Sequence, residues 1–146
     1  MKSFAARSVL LVVVHFLLLI VHGIAHRKLD IGMNRLQEAF IFVVIYATPL
    51  LAAVCIGIGR QSAGAASLGI SMAASLIFGM INHFLLHGAD NALSVQAGAQ
   101  GVLFQASAVA LVGIELLTVG LCLQRLFASC DGKTEVHVGA ASVRER

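Results

Sequence analysis

Residues 39–58 read AFIFVVIYATPLLAAVCIGI and contain no charged side chain. A helix needs about 20 consecutive apolar residues to cross a bilayer, so this stretch predicts a membrane-spanning helix. Three further segments have the same character, and we expect the four helices at about 8–26, 38–58, 66–87 and 101–124. Within the fourth apolar run, Glu115 is the one charged side chain.

The composition of the whole chain agrees with this interpretation. Of the 146 residues, 59% are hydrophobic and 12% are charged, whereas soluble domains carry about 25% charged residues. Backbone groups in lipid must pair within their own segment, which favours helices, and short connections favour antiparallel neighbours. We therefore predict an all-α integral membrane protein, an up-down-up-down four-transmembrane-helix bundle over residues 1–124. A polar, flexible cytoplasmic tail is expected over residues 125–146.

The basic residues predict the orientation, because cytoplasmic loops carry an excess of Lys and Arg. With both termini inside, seven basic residues are cytoplasmic and three are outside. The seven are Lys2, Arg7, Arg60, Arg125, Lys133, Arg144 and Arg146, and the three are Arg27, Lys28 and Arg35. We expect a protein of the inner (plasma) membrane with the lipid bilayer as its main partner. The scattered basic residues and the lack of Trp do not indicate nucleic-acid binding.

Histidines in two of the apolar segments are the candidate functional residues, because imidazole is costly to place in hydrocarbon without a partner. Residues four apart share a helix face, so His22 and His26 form one stripe and His83 and His87 another. Both stripes lie near the outward ends of their helices. The polar residues expected beside them are Glu38, Asp90 and Asn91. Imidazole is the commonest metal ligand, so the pattern predicts a site for a transition metal or a b-type haem.

Two other interpretations stay open. Histidines are tolerated at a membrane interface where their tips reach water, and the protein would then be a structural or assembly subunit of a larger membrane complex, or a homo-oligomer, without chemistry of its own. A small transporter or proton-coupled carrier is the second, although four spans are few and no internal repeat is visible. An enzyme is not favoured, since a zinc-protease motif needs Glu after its first His, where Gly23 and Phe84 stand.

A second polar feature lies deeper in the predicted bundle. His15 is about seven residues from the inner end of the first helix, and Glu115 about nine from the inner end of the fourth. At about 1.5 Å per residue the two side chains reach a similar depth. Each is costly alone in a membrane interior, so we expect His15 and Glu115 to be a buried polar pair.

Overall fold

The computed structural model describes residues 2–95 and 98–143, with side chains over 3–95 and 98–129, and in these residues it contains helices and no strand. Four helices are long and apolar enough to cross a membrane, which confirms the all-helical class. They are α1 (Lys2–Lys28), α2 (Arg35–Gly57), α3 (Gln61–Leu85) and α4 (Ala99–Val143). The helix α4 packs against α1 and α3, and α2 packs against α3.

The helix ends differ from those predicted. Hydropathy marks the apolar part of a helix, whereas α1 and α4 continue into polar sequence, and the backbone of α4 is helical as far as Val143. The last part of the predicted tail, residues 144–146, lies outside the described residues. The second helix begins earlier than expected because Asn34 and Gln37 form a capping box that binds the free backbone N–H groups of the first turn.

Two segments have π-helical backbone. The first, Ile41–Ala47, ends two residues before Pro49. Proline has no N–H and its ring crowds the preceding turn, so the altered hydrogen-bond spacing occurs where a regular helix is hardest to continue. The second, Ile81–Leu85, is the last turn of α3 and carries His83. Single π-helical turns occur frequently at functional sites.

The core is divided along the length of the bundle. One half contains the largest apolar cluster, which consists of Phe4, Val12, Ala52, Ile56, Ala65, Leu68, Met72 and Cys122. The other half contains His22, His26 and His83 and a smaller apolar cluster that includes Ala25 and Phe104. A third cluster is formed by Leu19, Ile45 and Leu111. This arrangement places the polar chemistry where α1 and α3 end and α4 begins.

Candidate metal centre

Three imidazoles meet at this end of the bundle. His22 and His26 lie one turn apart on α1, and His83 lies in the last turn of α3; the three residues are 6%, 5% and 8% exposed. Their ring centroids are 4.7 Å apart for His22 and His26 and 4.8 Å apart for His22 and His83. One nitrogen from each ring lies within 4.8 Å of the others. The three side chains are therefore close enough to share one metal ion.

Ser107 on α4 is a hydrogen-bond partner of His22. Its Oγ lies 2.9 Å from Nδ1 of His22, and it also lies 2.7 Å from the carbonyl oxygen of Leu103 and 3.0 Å from that of Phe104. A hydroxyl can donate its one proton to a carbonyl of its own helix and at the same time accept from Nδ1–H of His22. In that tautomer Nε2 of His22 carries the lone pair that a metal would bind.

The loop after α3 orients His83 in the same way. Its Nδ1 lies 3.1 Å from the backbone carbonyl oxygen of Asp90 and 3.0 Å from Oδ1 of the same residue. The carbonyl oxygen can only accept, so Nδ1–H of His83 donates to it. The Nε2 atoms of His22 and His83 lie 3.2 Å apart. Two ring nitrogens at that distance share either a proton, in an N–H···N hydrogen bond, or a metal ion that both of them bind.

The spacing of these nitrogens fits a metal. Nitrogen ligands about 2.0–2.1 Å from a tetrahedral zinc ion are roughly 3.3 Å apart, close to the separation of the two Nε2 atoms. His26 can supply a third ligand, because one of its ring nitrogens lies within 4.8 Å of a ring nitrogen of each of the other two histidines. The donor set thus contains three imidazoles, two of them already fixed by hydrogen bonds from the nitrogen that would not bind the metal.

Asp90 is the acidic group of the site. Its Oδ1 lies 3.3 Å from Nε2 of His26 as well as 3.0 Å from Nδ1 of His83, but it is aligned for a hydrogen bond with neither ring. Asn91 holds the surrounding loop: its amide donates to the carbonyl of Leu86, and its side-chain oxygen accepts from the N–H of Leu93. The carboxylate adds negative charge beside the imidazoles, which favours a bound cation.

The cluster has one closed side and one open side. The fully buried ring of Phe104 packs against all three imidazoles, with centroids 4.9, 5.0 and 5.4 Å from those of His22, His26 and His83. A cavity of about 90 Å³ borders the same histidines and extends between the helices to Glu115. Its walls are mainly apolar side chains, which include Leu19, Ile45, Phe78 and Leu111.

Two of the predicted site residues lie apart from the cluster. The helix α3 ends at Leu85, so His87 is not on its face; it is exposed and is not part of the group of three. Glu38 lies in the first turn of α2 and is also exposed. The structure thus brings His22, His26 and His83 together with Asp90. Asn91 contributes through its hydrogen bonds within the loop that carries Asp90.

The deeper polar pair is in contact. Nε2 of His15 lies 3.2 Å from Oε1 of Glu115, and both side chains are buried. The hydroxyl of Ser75 donates to the same carboxylate oxygen. Glu115 therefore has two polar partners, from α1 and α3.

Sequence reasoning missed Phe104 and Ser107. Their depth in the membrane could have indicated them, since both lie just inside the predicted start of the fourth helix, level with the ends of the first and third.

Comparison with family models, curated proteins and solved structures gave no match. Function is therefore argued from the geometry of the site.

Proposed function

We propose that this protein is a metal-binding membrane protein that holds one divalent transition-metal ion through His22, His26 and His83, with Asp90 beside it. The observation that carries the proposal is the convergence of three buried imidazoles, one nitrogen of each lying within 4.8 Å of the others. Imidazole ligands suit zinc, copper, iron and nickel rather than magnesium or calcium. We infer an ion of that group.

The surface supports insertion in a bilayer. Large apolar side chains are exposed on every helix, among them Leu17, Leu51, Ile70 and Leu117. Contacts at opposite ends of α1 and α4 support an up-down arrangement: the guanidinium of Arg125 lies 5.9 Å from the ring centroid of Phe4, while His22 meets Ser107. With both termini cytoplasmic, the cluster lies at the non-cytoplasmic end of the bundle.

The packing favours a resident ion over a haem or a transported ion. The three imidazoles and Phe104 are in mutual contact, so a porphyrin could enter between them only if the helices separated. The cavity ends near Glu115, and the apolar cluster that includes Met72 and Cys122 fills the bundle beyond it. A bound metal ion needs no such rearrangement.

Replacing single histidines tests the proposal. The detergent-purified chain should bind about one Co²⁺ or Zn²⁺, measured by metal analysis after dialysis, and His83→Ala should lose most of this occupancy because a ligand is removed. His87→Ala is the matched control, since it lies four residues further along and is exposed; its occupancy should equal that of the native protein. No binding by the native protein, or equal loss in both variants, would overturn the proposal. An absorption spectrum with a Soret band would select haem instead.

Ser107→Ala tests the hydrogen bond that orients His22. Loss of a hydrogen bond to a metal-bound histidine lowers metal affinity about 10- to 100-fold, and we expect that loss in a competitive titration with a chelating dye. Thr118→Val on the same helix is the control, because among the described residues that hydroxyl bonds only to the carbonyl of Ile114. If the two variants bind metal equally well, Ser107 does not orient a ligand.

A further inference from the structure

The three imidazoles leave one coordination position of the proposed metal site unfilled. Three imidazoles are fewer ligands than a tetrahedral ion takes, and sites with three protein ligands keep a position for water or substrate. Phe104 covers the three rings from one direction. The cavity borders the same three rings from another direction, together with Asp90.

We propose that this open position faces the cavity and binds an exchangeable ligand of two or three heavy atoms, with water as the resting occupant. The proposal rests on the proposed metal site and names the class of ligand that the site accepts. Exchange is a simple substitution: a lone pair of the incoming ligand binds the metal as the water molecule leaves.

The size of the cavity sets the class of ligand. Its volume of about 90 Å³ exceeds the roughly 10–15 Å³ that one water needs and is below the roughly 150 Å³ of a cavity that takes up benzene. Apolar walls surround most of it, with Asp90 near the metal site and Glu115 at the far end. A linear ligand of three atoms fits this volume, which is smaller than that of a cavity that takes up an aromatic ring.

Larger side chains at two positions that line the cavity would fill it. Gly23 lies beside the cluster on α1, and a Cβ at this position would meet no atom within 4 Å. Ala108 on α4 is buried and also lines the cavity. A Cβ added at Gly113 on α4 would also meet no atom within 4 Å, but this glycine is exposed and does not border the cavity. Leucine at the first two positions should occupy the ligand space, and leucine at the third should not.

Cobalt(II) provides the readout, because its visible bands change when its coordination changes. The Co²⁺-loaded full chain is titrated with azide, and separately with pyridine. We expect azide to shift the bands saturably in the native protein and in Gly113→Leu. In Gly23→Leu and Ala108→Leu the azide affinity should fall at least tenfold while Co²⁺ remains bound, and pyridine should leave the native spectrum unchanged.

Several results would overturn this inference. An unchanged native spectrum in azide would mean that a protein group, such as the Asp90 carboxylate, fills the position. Equal azide affinity in the filled variants, or pyridine binding as tight as that of azide, would mean that the ligand does not enter through the cavity. If the filled variants lose cobalt, the contrast between azide and pyridine on the native protein decides the question. Failure of the native protein to bind Co²⁺ is a different result and overturns the metal site itself.

Discussion

Some residues of the candidate site can be recognised from the sequence, whereas others are recognised only from how the helices pack. The cost of placing imidazole in an apolar helix singles out His15, His22, His26, His83 and His87 without any structure, and it does not separate His87 from the three that meet. Nothing comparable marks Ser107 or Phe104, because serine and phenylalanine are ordinary residues of a spanning helix. Their role depends on which way α4 is rotated, and its apolar sequence does not fix that rotation.

The contact of His15 with Glu115 gives a test of a buried polar pair. Glu115→Gln and His15→Gln should each lower the free energy of unfolding in mixed micelles, because each removes one side of the contact between the buried imidazole and the buried carboxylate. The double variant should lose less than the sum, with a coupling energy of about 0.5–3 kcal/mol. Glu115→Gln combined with Asn34→Ala is the control pair and should be additive, since Asn34 bonds only within the cap of α2. Additivity in both pairs would show that the imidazole and the carboxylate are not coupled.

At the scale of elements, hydropathy predicts that the four helices exist but not how they end. The third helix shows why this matters for the site. Its π-helical turn ends at Leu85. His83 and His87 are four residues apart but therefore do not share a helix face. A periodicity argument assumes regular α-helix, and it fails where the hydrogen-bond spacing changes. That is why the structure gathers three histidines where the spacing predicted four.

The contact between α2 and α3 depends on Gly64. A Cβ at this position would lie 2.5 Å from Cγ1 of Ile56 and 2.9 Å from the carbonyl oxygen of Ala52. Gly64→Ala should therefore push the helices apart and lower the free energy of unfolding by about 1–3 kcal/mol, as overpacking does elsewhere. Gly113→Ala is the control and should cost nothing, because open space surrounds it. Equal stability of the two variants in mixed micelles would show that this helix contact tolerates a methyl group.

At the scale of the whole molecule, the two ends of the bundle differ in chemistry. One end is closed by an apolar cluster of eight side chains, and the other contains the histidines, Asp90 and the cavity. The sequence predicted a histidine cluster at one end from depth alone, because His22, His26, His83 and His87 all fall near the same ends of their helices. It could not predict the cavity, which arises from the fit between neighbouring helices and has no sequence signature.

The side of the membrane on which the cluster lies is the remaining prediction at this scale. Seven basic residues against three predict that both termini, and hence the start of α3, lie in the cytoplasm. Ala89 is exposed in the loop beside the histidines, and Ser62 is exposed at the start of α3. In a background with Cys55, Cys122 and Cys130 replaced by alanine, a membrane-impermeant thiol reagent applied to intact cells should label Ala89→Cys and not Ser62→Cys. Permeabilised cells are the control, in which both variants should be labelled. The reverse pattern in intact cells would place the metal site on the cytoplasmic side and leave its internal geometry unchanged, because that geometry depends on contacts between helices and not on the membrane face they approach.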